Sequence, residues 1–374
     1  MRFIHDLSRF ERSQTISFTR RFSAMGLLIG ILATGVALTT NSFGDGGSSG
    51  SGSSGSGSSG GAKPLSSVKV PLPADLGTYV KNNQAAIALG KALFWDTQTG
   101  GTGTQACASC HYNAGVDNRT NKGTLAGGHN GIVDTTIFNA ASFPFNTLQK
   151  DDIVGSQGVP AQDFNGLNFG SAVDNCSATG NGSLQTTGRN APNAIMAIFN
   201  RDSFWDGRAS QDFNGVNPFG KFTDPSKSAP STAKIWVNGP AGLSQQAVII
   251  SPASAASQAV GPANNQVEMS CKGRTWGHLG RKMLNNGLMP FANQYVHGTD
   301  SVLGVYSNWP SKGMNRSYKD MVRAAFNDQF TSDLPLPDGS GFTQIEQNFS
   351  LFWGLSIMLW ESILLPDQTP FDKW

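Results

Sequence analysis

Cys107-Ala-Ser-Cys110-His111 is the stretch on which the reading of this chain turns. Two thiols three positions apart on a turn can add to the two vinyl groups of one porphyrin. The adjacent imidazole then turns beneath the iron as its proximal ligand, so the CxxCH spacing points to a covalently attached c-type haem. A redox CxxC would need a thioredoxin-like βαβ surrounding that the neighbouring sequence lacks, and a zinc site would have to be completed by Cys176 and Cys271. Haem is the reading adopted. Just upstream, residues 85–95 (AAIALGKALFW) place Ile87, Gly90, Lys91 and Phe94 on one helical stripe with Leu93 beside it. That pattern suits a helix entering a haem pocket, and equally a plain core helix.

The chain has 374 residues, 38% hydrophobic and 14% charged, with 45 glycines. This length allows a sizeable core, and the low charge excludes a charge-rich helical rod or coiled coil in favour of long irregular loops. The formal charge is +2. Arg2, Arg9, Arg12, Arg20 and Arg21 against Asp6 and Glu11 already exceed it within the first 43 residues, so the remainder is slightly acidic and no nucleic-acid partner is expected.

Behind that basic start, residues 22–38 (FSAMGLLIGILATGVAL) form an apolar run of 17. Residues 1–43 therefore read as a signal peptide or membrane anchor, with cleavage near residues 39–42 favoured, and the Arg20-Arg21 pair sits in a poor twin-arginine context. The expectation is an exported protein, periplasmic or extracellular, touching a membrane only through an uncleaved N-terminal segment. Residues 44–61 (GDGGSSGSGSSGSGSSGG) cannot build a core and form the body of a flexible linker over 44–72, leaving 73–374 as the folded part.

Further motifs follow: Gly188-Arg189-Asn190-Ala191-Pro192, Phe204-Trp205-Asp206-Gly207-Arg208, Ser257-Gln258-Ala259-Val260-Gly261-Pro262 and Glu268-Met269. With the haem motif, and in this order, they resemble the bacterial dihaem cytochrome c peroxidase superfamily, which also contains the MauG proteins and the rubber oxygenases. The resemblance covers roughly residues 75–374. It implies a mainly α, cytochrome c-like haem domain with long irregular loops. Trp205 and Glu268 lie 63 positions apart, farther than in the peroxidases. Residues 209–250 therefore read as an inserted surface loop, as in the large branch near the rubber oxygenases. The family carries a second CxxCH in a C-terminal domain, whereas this sequence stops at Thr369-Pro370-Phe371-Asp372-Lys373-Trp374. The expectation is an N-terminal portion with one haem c, the second haem domain being absent.

The resemblance also implies roles. Glu268 matches the acid–base residue that moves a proton between the two oxygens of peroxide, and Gln258 matches a neighbour of it in the distal pocket. Trp205 matches a tryptophan between the haems that assists electron transfer, its alternative being a large core aromatic. Asn190 matches a calcium ligand, and Asp206 with Arg208 reads as a structural pair. For a resting sixth ligand the candidates are weak. His129 lies in a Gly-rich loop, Met269 reads as packing, His278 falls off its helical stripe and is expected to be exposed, and His297 has no supporting context. Cys176 and Cys271 remain once the haem has taken two of four cysteines, and in an oxidising compartment they read as a disulfide, with two buried thiols as the alternative.

Two more helices are expected at 317–328 and at 343–364, the latter opened by the capping box Thr343-x-x-Glu346. Strand patterns are few, around residues 234–237 and 248–250. The implied activity is reduction of hydrogen peroxide with electrons from a small cytochrome or cupredoxin. An electron-carrier cytochrome with a closed iron and a haem oxygenase acting with O₂ on an apolar substrate are the alternatives, and oligomeric state stays open.

Overall fold

The computed structural model describes residues 64–117, 155–180, 182 and 184–373. The N-terminal segment 1–43, linker residues 44–63 and His129 lie outside the described residues. In chain order the helices are α1 (Asn83–Trp95), α2 (Ala108–His111), α3 (Ser254–Ala259), α4 (Trp276–Asn285), α5 (Tyr318–Ala325), α6 (Gln344–Gln347), α7 (Phe349–Glu361) and α8 (Pro370–Lys373). The strands β1 (Gln157–Pro160), β2 (Gln162–Gly166), β3 (Asn175–Ala178), β4 (Leu184–Thr186), β5 (Ile235–Gly239) and β6 (Gly242–Gln246) pair as three antiparallel two-stranded sheets, β1 with β4, β2 with β3 and β5 with β6. Helices build the core and the strands are short, so the architecture is mainly helical.

At the centre stands α7, whose sequence FSLFWGLSIMLWE is apolar around the whole helix rather than along one stripe; all thirteen residues are buried. A helix of that kind has to be covered on every side. It packs against α1, α3, α4 and α6. Phe349, Phe352 and Trp353 have no exposed surface, each burial being worth roughly 1.5–3 kcal/mol. The one polar atom of Trp353, Nε1, donates to the Ala259 carbonyl at 2.8 Å.

α1 is the principal partner of α7. Its start is fixed by Asn82, whose side-chain oxygen accepts from the Ala85 N–H at 3.1 Å. Burial extends beyond the expected stripe to Ala86, Ala88, Leu89 and Ala92, while Lys91 sits at the margin and pairs with Asp300 at 2.7 Å. Gly90 sets the depth of the crossing, because a Cβ built there would fall 1.9 Å from the Ser356 carbonyl oxygen. Gly90→Ala should therefore force the helices apart and destabilise the fold by ~1–3 kcal/mol or more, read as a lower denaturant midpoint. An unchanged midpoint would show that the crossing relaxes freely.

Tertiary contacts cut two expected helices short. The continuous helix over 343–364 is two helices. Glu346 accepts from the Thr343 N–H at 2.9 Å as the capping box requires, but Asn348 then breaks the run. Asn348 accepts from the Trp236 N–H at 2.9 Å and donates to the carbonyls of Trp236 and Phe330 at 2.7 and 3.1 Å. The helix expected to reach 328 ends at Ala325, where Phe326 turns extended and bridges to Val80.

The segment 209–250, expected as a surface loop, is tied into the core. Phe213 and Ile250 are fully buried and exchange backbone hydrogen bonds of 2.9 Å in both directions, and β5 delivers Ile235, Trp236 and Val237 to the interior. Nearby, Cys176 on β3 and Cys271 form a disulfide with a Cα–Cα distance of 6.4 Å. Beside it lies a buried ion triad, Asp174 paired at 2.8 Å with both Arg274 and Lys282. Lys282 also donates to the Gly100 carbonyl at 2.9 Å, which ties the triad to the loop leading into Cys107.

Candidate haem site

Residues 107–111 make one helical turn, in which the N–H groups of Cys110 and His111 both donate to the Cys107 carbonyl at 3.1 Å. Ser109 Oγ accepts from the Ala106 N–H at 3.0 Å and fastens the entry. At spacings of three and four the side chains of Cys107, Cys110 and His111 share one face of that turn. The shared face lines a cavity of about 370 Å³.

Neither thiol is in a disulfide. Burial pushes the Cys107 thiol up, and the nearby carboxyl of Glu361 adds to that shift. The Cys110 thiol donates to the Gln157 carbonyl on β1 at 3.6 Å. On His111, Nδ1 donates to the Gly115 carbonyl at 3.0 Å, which leaves the lone pair on Nε2. Burial pushes this imidazole below its usual range, against the carbonyls of Gly115 and Pro192, which favour its charged form. The supporting turn requires glycine: Gly115 has φ +84°, and a Cβ there would lie 2.3 Å from Asn193 Oδ1. The Phe94 ring of α1 packs 5.9 Å from the imidazole.

Gln258, Trp205 and Glu268, far apart in sequence, line the same cavity. Gln258 comes from α3, and Glu268 from the turn that follows, where its backbone N–H donates to Asn265 Oδ1 at 3.3 Å. Among the described residues no group hydrogen-bonds the Glu268 carboxyl. Burial raises its pKa and Arg208 opposes the shift. A carboxyl raised toward the working pH can both accept and return a proton.

Trp205 is 68% exposed, which overturns its reading as a core aromatic. Its Nε1 donates to the Asn190 carbonyl at 2.9 Å, so it is pinned at the cavity rim. Asp206 accepts from Arg189 at 2.6 Å and from Arg208 at 2.8 Å. Burial works against ionisation there, yet the two guanidinium groups hold this carboxyl at about 2. Arg208 also lies over the Phe204 ring at 4.2 Å, so Asp206 and Arg208 do hold the turn, with Arg189 as a third member.

The side-chain oxygen of Asn190 accepts from Ser156 Oγ at 3.3 Å. No group of three or more His, Cys, Asp or Glu side chains able to hold a metal ion occurs among the described residues. Met269 is buried against the cavity. His278 is half-buried rather than exposed, lying 4.6 Å from the Phe164 ring and 5.0 Å from that of Phe342, with Nδ1 at the N-cap of α4. His297 stacks on Trp309 at 4.5 Å and is not among the cavity residues.

One cavity residue has no counterpart in the sequence reading. Glu361, the last residue of α7, lines the cavity while only 8% exposed. The signal available was a lone acid closing an otherwise uncharged helix.

Two thiols outside any disulfide and an adjacent imidazole, held on one face of a single turn against a largely apolar cavity, are the donor set that a covalent c-type haem needs, and the residues present fit that group. The chain belongs to the di-haem cytochrome c peroxidase family, whose profile matches residues 84–374. A search of the curated proteins found no match.

Proposed function

We propose that the protein is an exported haem c peroxidase that reduces hydrogen peroxide to water with electrons from a small cytochrome or cupredoxin. The observation that carries this reading is the convergence of Glu268 with Cys107, Cys110 and His111 on one cavity. Cys107 and Cys110 would hold the porphyrin through thioethers and His111 would ligate its iron. When bound, that group supplies the site that coordinates peroxide and passes it electrons. The overall reaction consumes one peroxide, two electrons and two protons and yields two waters. Glu268 would take a proton from one peroxide oxygen and return it to the other, which would leave as water. Gln258 offers an amide that can orient the peroxide, and Trp205 at the rim offers an aromatic step for incoming electrons.

Two measurements test the reading. Protein matured with a haem-attachment system should gain the mass of covalent haem and keep its colour through acid–acetone extraction. Extraction of the colour would mean non-covalent haem. The haem-loaded protein should then oxidise two equivalents of a reduced small cytochrome per peroxide consumed.

Met269 supports a second reading, since its thioether also lines the cavity and could close the sixth position of an electron carrier. In that case Met269→Leu would convert a low-spin oxidised spectrum to a high-spin one. In a peroxidase with an open position the spectrum stays unchanged.

A further inference from the structure

We propose that Glu361 is a second proton-carrying group of this cavity, taking up a proton when the bound haem gains an electron. The inference rests on the haem reading of Cys107, Cys110 and His111. It starts from a misfit between residue and surroundings. The twelve preceding residues of α7 are uncharged and buried, yet the helix ends in a carboxylic acid that is itself more than nine-tenths buried and faces the cavity. Among the described residues no donor hydrogen-bonds that carboxyl. An unpaired carboxylate out of water is costly, so the group keeps a proton that an exposed glutamate would lose. Burial alone pushes its pKa up to about 8.

Among the described residues, the charged groups on the elements packed against α7 are paired elsewhere, and His278 of α4 is turned to Thr275 at the start of its own helix. α3 and the turn Ala197–Phe199 carry no charge. On α1, Lys91 is paired with Asp300, and on α4 and α6 the pairs are Arg281 with Glu346 and Lys282 with Asp174. The titratable and charged groups lining the cavity are Cys107, Cys110, His111, Glu268, Arg189 and Arg208. Both arginines bind Asp206. Glu361 and Cys107, the porphyrin anchor, line the same cavity. Cys107 is that anchor and not an iron ligand.

Charge balance then assigns the role. A ferric haem carries one more positive charge than a ferrous one, and in a low-dielectric cavity this difference moves a nearby carboxyl strongly. With the oxidised haem bound, the Glu361 carboxylate is stabilised. When a one-electron donor reduces the iron, the carboxylate takes one proton from water and the charge of the cavity is unchanged. The midpoint potential must accordingly fall as pH rises through the window between the two pKa values.

The test is a potentiometric titration of the haem-loaded full chain, followed optically from pH ~5 to ~9, a range that brackets the shifted carboxyl. The potential should fall with pH in the unmodified protein and in Glu361→Asp. In Glu361→Gln it should flatten to the residual slope of Glu268 and the porphyrin propionates. A Gln variant that keeps the full slope with haem attached overturns the proposal and leaves the haem reading standing. Missing covalent haem mass in the unmodified protein overturns both. A reduced-minus-oxidised infrared spectrum needs no variant: a carboxylic acid band should appear on reduction and shift in D₂O, and its absence also overturns the proposal.

Discussion

Glu268→Gln should slow peroxide reduction by the haem-loaded protein by ~10²–10⁴, the range expected when a positioned acid–base group is lost. Glutamine keeps the size and polarity of the side chain but cannot accept the proton. Haem content, the Soret band and the stability of the variant should be unchanged, because no described group hydrogen-bonds the Glu268 carboxyl and its removal orphans nothing. The direction of its pKa makes the comparison more informative. Burial raises this carboxyl, so activity should decline on the acid side as Glu268 becomes protonated before peroxide arrives, and the acid limb should vanish in the variant. Normal turnover in the variant would remove Glu268 from the mechanism and leave the electron-carrier reading in front.

The second large effect concerns stability. Asp174 is buried between Arg274 and Lys282, with contacts of 2.8 Å to each, and the side chains of all three are at most 1% exposed. Asp174→Ala strands two cations without a counter-ion, which should cost ~3–5 kcal/mol in denaturant unfolding. Burial already drags the Lys282 ammonium down to about 8 with the carboxylate in place. Without it, the Lys282 pKa should fall further and its hydrogen bond to the Gly100 carbonyl should weaken. Faster amide exchange in residues 100–106 would register that weakening. A variant as stable as the parent would mean that water enters the triad and solvates both cations.

What could be read in the sequence divides by the range of the interaction. Cys107, Cys110 and His111 are legible because their spacing is itself the geometry, one turn of helix. α1 and α7 are legible as buried helices because their apolar residues are contiguous, although a stripe was expected where burial is nearly all-round. The break at Asn348 was not legible, because its cause is a backbone segment more than a hundred residues away. The sheet of β1 and β4 escaped notice for a similar reason, since each strand is three or four residues long and its partner is not its neighbour in sequence. Gln258 and Glu268 were found through motif resemblance, and no local pattern would have singled them out. Glu361 was missed because an acid at a helix end ordinarily reads as a solvated terminus, and only packing reveals that this end is covered. Trp205 shows the converse, a large aromatic at the surface, where hydrophobicity alone would have buried it.

The position of the disulfide bears on how the protein is assembled. A Cβ placed on Gly101 would come within 3.2 Å of Cys271 Sγ, so the loop that runs into Cys107 lies against the Cys176–Cys271 bridge. Of the four cysteines, Cys176 and Cys271 are oxidised to each other, while Cys107 and Cys110 must stay reduced for porphyrin addition. Any chain that pairs Cys107 or Cys110 with Cys271 loses the porphyrin anchor and the bridge in a single error. Closing the bridge between Cys176 and Cys271 before porphyrin delivery would take the mispairing partners out of play and leave only Cys107 and Cys110 to be kept reduced. Yield in a heterologous host should depend on the balance between its thiol oxidase and its haem-delivery reductant more than on the supply of haem.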